Sequence, residues 1–250
     1  MYQKKVKALV TGATSGIGEM LVRRLAALGH PLVITGRNQG KLDGLSNELQ
    51  TELIGISLDL TDGIAVERFA NVYAADASVV VNAAADFGLT KPLTQVTARE
   101  MLEVYQTNVV SPLIILGHAL PAMIRSGYGR IIDISSTSGL SGYAGRMPYC
   151  TSKHAVLGLT RTINQEIKDE CGKRQHDVKA FCVCPGPIDG ERIEKQIRAR
   201  MKMKGETDFA KARRSFSIRL GRFLDPEEVV DRILSLMEPG VRQDEIVLFR

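Results

Sequence analysis

Thr11-Gly12-Ala13-Thr14-Ser15-Gly16-Ile17-Gly18 closes a short apolar run and opens, with no spacer, onto an amphipathic stretch at 17–28. A strand, a glycine turn and a helix in immediate succession decide the fold. Glycine lets the backbone turn tightly and lie against a phosphate with no Cβ in the way. The helix that follows offers unbonded N–H groups and a partial positive charge at its start, both suited to an anion. Three residues and then one separate the glycines, a spacing unlike the commoner G-x-G-x-x-G fingerprint.

The same alternation runs through all 250 residues. Strands are expected at 6–11, 31–35, 53–58, 78–82, 129–135, 178–184 and 245–249, and helices at 17–28, 41–50, 65–75, 98–125, 148–170 and 226–237. Several strands are unbroken Val/Ile runs, as when helices cover both faces of a sheet. Alternating strands and helices make a mostly parallel sheet with right-handed crossovers. The expectation is a single α/β domain over 1–250, Rossmann-like and doubly wound, with a mostly parallel seven-stranded sheet and helices on both faces. The exception is 189–222, which carries eleven Lys/Arg against five Asp/Glu and an apolar stripe at Ile193, Ile197 and Met201. Material after a strand's carboxyl end lies where such sheets bind ligands. It reads as a substrate-covering insertion, with Arg192 and Arg198 as candidates to recruit an anionic substrate.

Composition removes several classes. The four cysteines have no partner His or Cys at metal-ligand spacing, and Cys182 and Cys184 share one face of a strand, so no metal is expected. The charge of +5 comes with no Trp and scattered Phe and Tyr, against a nucleic-acid partner. No leader pattern precedes the first strand and the apolar runs are short, so a cytoplasmic protein with no membrane partner is expected.

The chemistry concentrates in Tyr149-Cys150-Thr151-Ser152-Lys153. Residues four apart on a helix share a face, so phenol and ammonium lie close. A free phenol titrates near ~10, and a neighbouring cation is expected to lower that value toward neutrality. The strand at 129–135 runs into Ser136, thirteen residues before Tyr149, and Asn108 interrupts a long apolar helix where an amide is locally unfavourable. His154 and Cys150 point off the Tyr149–Lys153 face and read as structural, as does Ser135.

Taken together, these segments resemble the short-chain dehydrogenases/reductases: TGATSGIG is similar to the family's TGxxxGIG loop, and Tyr149 and Lys153 to its Y-x-x-x-K pair. The resemblance implies an NADP(H)- or NAD(H)-dependent oxidoreductase interconverting an alcohol and a carbonyl. It implies Ser136 as the group that polarises the substrate oxygen, Tyr149 as proton donor or acceptor, and Lys153 and Asn108 as its link to solvent through a water. Cofactor contacts are implied for Gly12, Thr14, Ser15, Gly16, Ile17 and Gly18, and for Tyr149 and Lys153 themselves. Asp59 and Leu60 resemble the pair that meets the adenine, and Asn82, Ala83 and Ala84 resemble the NNAG segment, with Ala85 in place of its Gly. Pro185, Gly186 and Ile188 resemble the loop that holds the nicotinamide carboxamide. At the end of the second strand Gly36 stands where NAD-specific sites keep a carboxylate, and Arg37, with Asn38 beside it, suits a 2′-phosphate, so NADP(H) is favoured. Homodimers or homotetramers built on the long helices are also implied. A protein that merely binds NADP(H) as a sensor or scaffold would need the loop and Arg37, but not Ser136, Tyr149, Lys153 and Asn108 together.

Overall fold

β1 (Ala8–Thr11) pairs with β2 (Leu32–Gly36) on one side and β4 (Val79–Asn82) on the other. With β3 (Leu53–Ser57), β5 (Tyr128–Ile134), β6 (Asp177–Cys184) and β7 (Ile246–Leu248) they form one parallel sheet, ordered β3-β2-β1-β4-β5-β6-β7. This computed structural model describes residues 5–172, 174–217 and 221–249. The seven expected strands are all present, shortened by a residue or more at several ends.

Central strands are buried on both faces, and successive side chains go to opposite cores. Ala8 and Val10 of β1, with Ile34, Val81 and Ile132, pack against α1 (Gly16–Ala27), α2 (Gln39–Glu48) and α9 (Pro226–Leu236). Leu9, with Val33, Val80 and Ile131, packs against α3 (Gly63–Tyr73), α5 (Ser111–Ser126) and α6 (Met147–Cys171). Asp225 caps α9 by accepting from the Glu227 N–H at 2.9 Å, one residue before Pro226 at the first-turn position.

The helix expected at 98–125 is a continuous helical run with a wide turn in it. α4 (Ala98–Tyr105) passes into a π-helical turn, Gln106–Val110, before α5. The run Ala98–Ser126 is long and apolar enough by composition to cross a bilayer, contrary to the expectation that every apolar stretch is too short. Its Ile115, Leu116, Ala119 and Met123 are instead buried under the sheet. The segment expected at 189–222 holds α7 (Glu191–Lys204) and α8 (Phe209–Ser217); residues 218–220 lie outside the described residues.

The chain lays β1 to β3 in one direction, then crosses to place β4 on β1's other side. That reversal leaves a crevice beyond the carboxyl ends of β1 and β4.

Candidate active site

The crevice is a cleft of about 840 Å³. Its floor is the glycine turn. Gly12 has φ +71°, and a Cβ there would sit 2.7 Å from the backbone N of Ala84, while one on Gly18 would strike the Gly12 carbonyl. Only glycine lets β1, α1 and the segment after β4 approach this closely. Ser15 precedes α1 without capping it, so the first N–H groups of α1 have no side-chain acceptor. Thr14, Ser15, Gly16 and Ile17 line the cleft there; Arg37, Asp59 and Leu60 line one end. Ala83 and Ala84 line its middle, and Pro185, Gly186 and Ile188 the edge below α7. An uncapped helix start and glycines that admit no Cβ fit a dinucleotide pyrophosphate.

Gly36 is pressed against Thr14, whose Oγ1 and Cγ2 lie 2.7 Å from where its Cβ would be. A carboxylate side chain has no room in this backbone. Arg37 beside it is exposed, and the Lys41 ammonium donates to the Thr14 carbonyl at 3.1 Å. Asp59 accepts from the Thr61 N–H and hydroxyl, both at 2.9 Å, which holds its carboxyl below the usual range.

Three expected site residues stand off the cleft. Asn38 is the N-cap of α2 and accepts from the Lys41 N–H at 3.0 Å. Asn82 is buried and donates to the Asp133 carboxylate at 2.8 Å; Thr160 donates to the same carboxylate at 3.0 Å. Asn108, in the π turn, clamps the backbone of Asp86, accepting from its N–H at 2.7 Å and donating to its carbonyl at 2.8 Å. Its amide also donates to Ser152 at 2.9 Å. Asn82, Asn108, Asp133 and Lys153, with apolar neighbours such as Val156 and Leu159, border a second cavity of about 10 Å³, room for roughly one water.

Ser136, Tyr149 and Lys153 converge on the cleft. Ser136 follows β5 and accepts from the Ser138 N–H at 3.1 Å, a turn role, while also lying close enough to Tyr149 to draw its phenol's pKa down. Tyr149 is 5% exposed and Lys153 2%. The Lys153 ammonium donates to the Ile134 carbonyl at 2.6 Å and lies 5.7 Å from the Tyr149 ring centroid. Ser135 donates to the Lys153 carbonyl at 2.9 Å and His154 contacts the Cys150 carbonyl at 2.8 Å, so both are structural as expected.

The expectation of a phenol acidified by Lys153 is overturned in sign. Burial is the largest influence and lifts the Tyr149 phenol above its ordinary value; Arg146, Ser136 and Arg192 pull it back without cancelling that. Burial also brings Lys153 down to about 8, opposed by Cys182 and Asp133. Stripping water from both groups disfavours both charged forms. The site therefore holds a neutral phenol.

Spacing pointed to neither Phe87 nor Arg146. Phe87 stacks on Tyr149 at 4.6 Å between centroids, and the Arg146 guanidinium lies 4.5 Å over the Tyr149 ring. Arg146 stands three residues before Tyr149, an interval that could have flagged it. The apolar stripe of α7 is spent largely on α8: Ile193 and Ile197 bury with Ala212, against Met201, Phe209 and Phe216. Arg198 sits over Phe209, whereas Arg192 lines the cleft.

Residues 6–202 match the family model described as short chain dehydrogenase. The chain belongs to this family. Membership makes it an oxidoreductase that works with a nicotinamide nucleotide. It is 32% identical over 212 residues to the Mycobacterium avium 3-oxoacyl-(acyl-carrier-protein) reductase, covering 82% of this chain and 75% of that one. The corresponding enzyme of Aquifex aeolicus is 27% identical over 241 residues, covering 92% and 88%. Among solved structures, the actinorhodin polyketide ketoreductase with NADPH superposes with a TM-score of 0.81 at 28% identity, over 94% of this chain and 91% of that one. An NAD⁺-bound xylitol dehydrogenase, 23% identical with a TM-score of 0.83, shares the fold.

Proposed function

We propose that the protein is an NADP(H)-dependent carbonyl reductase in which Tyr149 delivers the proton. The observation that carries this reading is the convergence of Ser136, the buried Tyr149 and the buried Lys153 on the cleft floored by the glycine turn. A neutral phenol is a proton donor, which suits reduction. Ser136 would hydrogen-bond the carbonyl oxygen and favour the charge developing there. Tyr149 would give that oxygen its proton, leaving a phenolate that Arg146 and the Lys153 ammonium stabilise. When bound, the reduced dinucleotide supplies the hydride that becomes the new C–H bond. Lys153 borders the water-sized cavity with Asn108, and proton return to Tyr149 would run through that corner. Asn108 acts here as a positioning residue through Ser152 and the Asp86 backbone.

Preference for NADP(H) rests on the guanidinium of Arg37, with Lys41 nearby, and on the lack of room for an acid at Gly36. The 189–222 segment would cover the substrate, since Arg192, Gln196 and Arg200 of α7 line the cleft. Exposed Leu102, Val110 and Leu113 on the α4–α5 run support pairing between subunits in a homodimer or homotetramer. A cytoplasmic location fits the likeness to acyl-carrier-protein reductases.

The test is turnover of a ketone and aldehyde panel with NADPH and with NADH. Tyr149→Phe should cost roughly 10²–10⁴-fold in kcat while NADPH still binds. Undiminished turnover would refute the role of the phenol, and an equal preference for NADH would refute that of Arg37.

A further inference from the structure

The cleft holds two guanidiniums that the proposed reduction leaves largely unused: Arg192 has no part in it, and Arg146 only steadies the phenolate. Arg146 lies 4.5 Å over the Tyr149 ring and 5.7 Å from the Phe87 ring; Arg192 lies 4.1 Å over the other member of that stacked pair, Phe87. Both guanidiniums are thus within about one side chain of the phenol that handles the proton.

Neither has an acidic partner within 4.0 Å among the described residues, whereas several of their basic neighbours do. Lys195 pairs with Glu191 at 2.6 Å, Arg200 with Glu206 at 3.6 Å, Arg213 with Asp189 at 2.6 Å and Arg222 with Glu228 at 2.8 Å. Among the described residues, Arg146 has one hydrogen bond, from Nη1 to the Gln196 side chain at 2.5 Å, and its buried Nη2 donates to nothing. Arg192 donates from Nη2 to the Ala85 carbonyl at 3.3 Å. The acid that bears most on Arg192 is Asp86, which lies beyond 4.0 Å and accepts from the Gly88 N–H at 2.8 Å with one of its oxygens.

A guanidinium stays charged in a protein, so Arg146, half-buried and with a buried Nη2 that has no partner, carries a standing cost, while Arg192, more exposed, holds its guanidinium over Phe87 at the cleft. Burial lowers both arginines' affinity for their protons, and Tyr149, present as a neutral phenol, does not repay it. An anion placed between them would. The planar fork of arginine matches a carboxylate with two parallel hydrogen bonds, and charge-assisted bonds of that kind are the strong ones.

We propose that the carbonyl substrate is an oxo acid whose carboxylate is held by Arg146 and Arg192 while its ketone faces Tyr149. This rests on the carbonyl-reductase reading and adds the substrate class. The pair works as a specificity device: a neutral ester of the same shape leaves both guanidiniums uncompensated.

The experiment uses the full chain with NADPH and two matched pairs, benzoylformate and levulinate, each against its methyl ester. For at least one pair, kcat/KM should favour the acid by roughly 10–100-fold, the worth of one charge-assisted contact. In Arg146→Gln and in Arg192→Gln that acid-to-ester ratio should fall about tenfold, with Arg192→Lys in between. Calorimetry of phenylacetate against phenylacetamide, titrated into the NADPH-bound protein, reads the same contact without turnover: the acid should bind the wild type and lose affinity in both variants. An acid-to-ester ratio near one for both pairs overturns the proposal, as does a ratio that survives both substitutions. A variant that weakens NADPH and leaves the ratio intact also overturns it, placing that arginine on the cofactor. Acid binding without turnover of any ketone upholds the anion site and sinks the reductase reading; turnover of esters with no acid preference does the reverse. Should a variant fail to fold, the wild-type ratio and calorimetry decide.

Discussion

A buried cation lies at each end of β5, Arg130 on the strand itself and Lys153 reaching it from α6, and the two are treated differently. At its start Arg130 is fully buried and saturated. It donates to the Leu236 carbonyl at 3.1 Å, the Gly129 carbonyl at 2.9 Å, the Glu238 carbonyl at 2.8 Å and the Asp177 carboxylate at 2.6 Å, with a further bond to the Asp177 backbone. Tyr128 adds a ring 4.7 Å away. At the strand's far end Lys153 is nearly as buried but donates to one carbonyl, that of Ile134. The first arrangement ties β5 to β6 and to the end of α9. The second leaves an ammonium whose proton is loosely held, beside a cleft. One sheet thus spends its amino-terminal edge on stability and concedes some at its carboxyl edge, where chemistry needs groups that titrate.

That contrast can be broken by measurement. Arg130→Met should lose about 3 kcal/mol in denaturant unfolding, because Asp177 and several carbonyls lose their donor; a loss below about 1 kcal/mol would mean that the knot is ornamental. Lys153→Met should do the opposite. Lowering an ammonium from 10.5 to about 8 costs roughly 3 kcal/mol at neutral pH, and the lost bond to Ile134 returns about 1, so a gain of about 2 kcal/mol should accompany loss of turnover. Equal destabilisation by both substitutions would erase the distinction. The smallest effect is in pH. A base whose native pKa is depressed carries its full penalty below that pKa, and sheds it as pH climbs toward the unfolded value. The stability gap between Lys153→Met and wild type should be constant below about 8 and fall between there and 10.5, ending with the variant slightly the less stable. Groups common to both proteins cancel in that difference, and a flat gap would refute the depressed ammonium.

The frame was legible because its signals are local. Unbroken runs such as Val79–Asn82 announce buried parallel strands, the glycines of 12–18 announce a turn with no room for side chains, and Tyr149 and Lys153 share a face by helical geometry alone. Hidden were the features set by tertiary burial. The direction of the Tyr149 shift depends on how much water the fold removes, which a spacing of four residues does not encode. Asn108 looked like a misfit in an apolar helix; the helix widens into a π turn there, and the amide reaches the Asp86 backbone, distant in sequence. Asn38 and Asn82 were drawn toward the nucleotide by position, but a helix start and a buried carboxylate occupy their side chains. The stripe on α7 buries chiefly against α8, a pairing between two charged helices that periodicity alone does not show, while Ile193 also lines the cleft.

The contact between Gly36 and Thr14 has a practical corollary. Cofactor switching is usually imagined as trading one charged residue for another, yet here a single exchange to aspartate would drive a new carbon into a threonine side chain. The two positions form a lock that opens only in tandem. A library aimed at changing the nucleotide must vary both together, or it will sample misshapen glycine loops instead of new specificities.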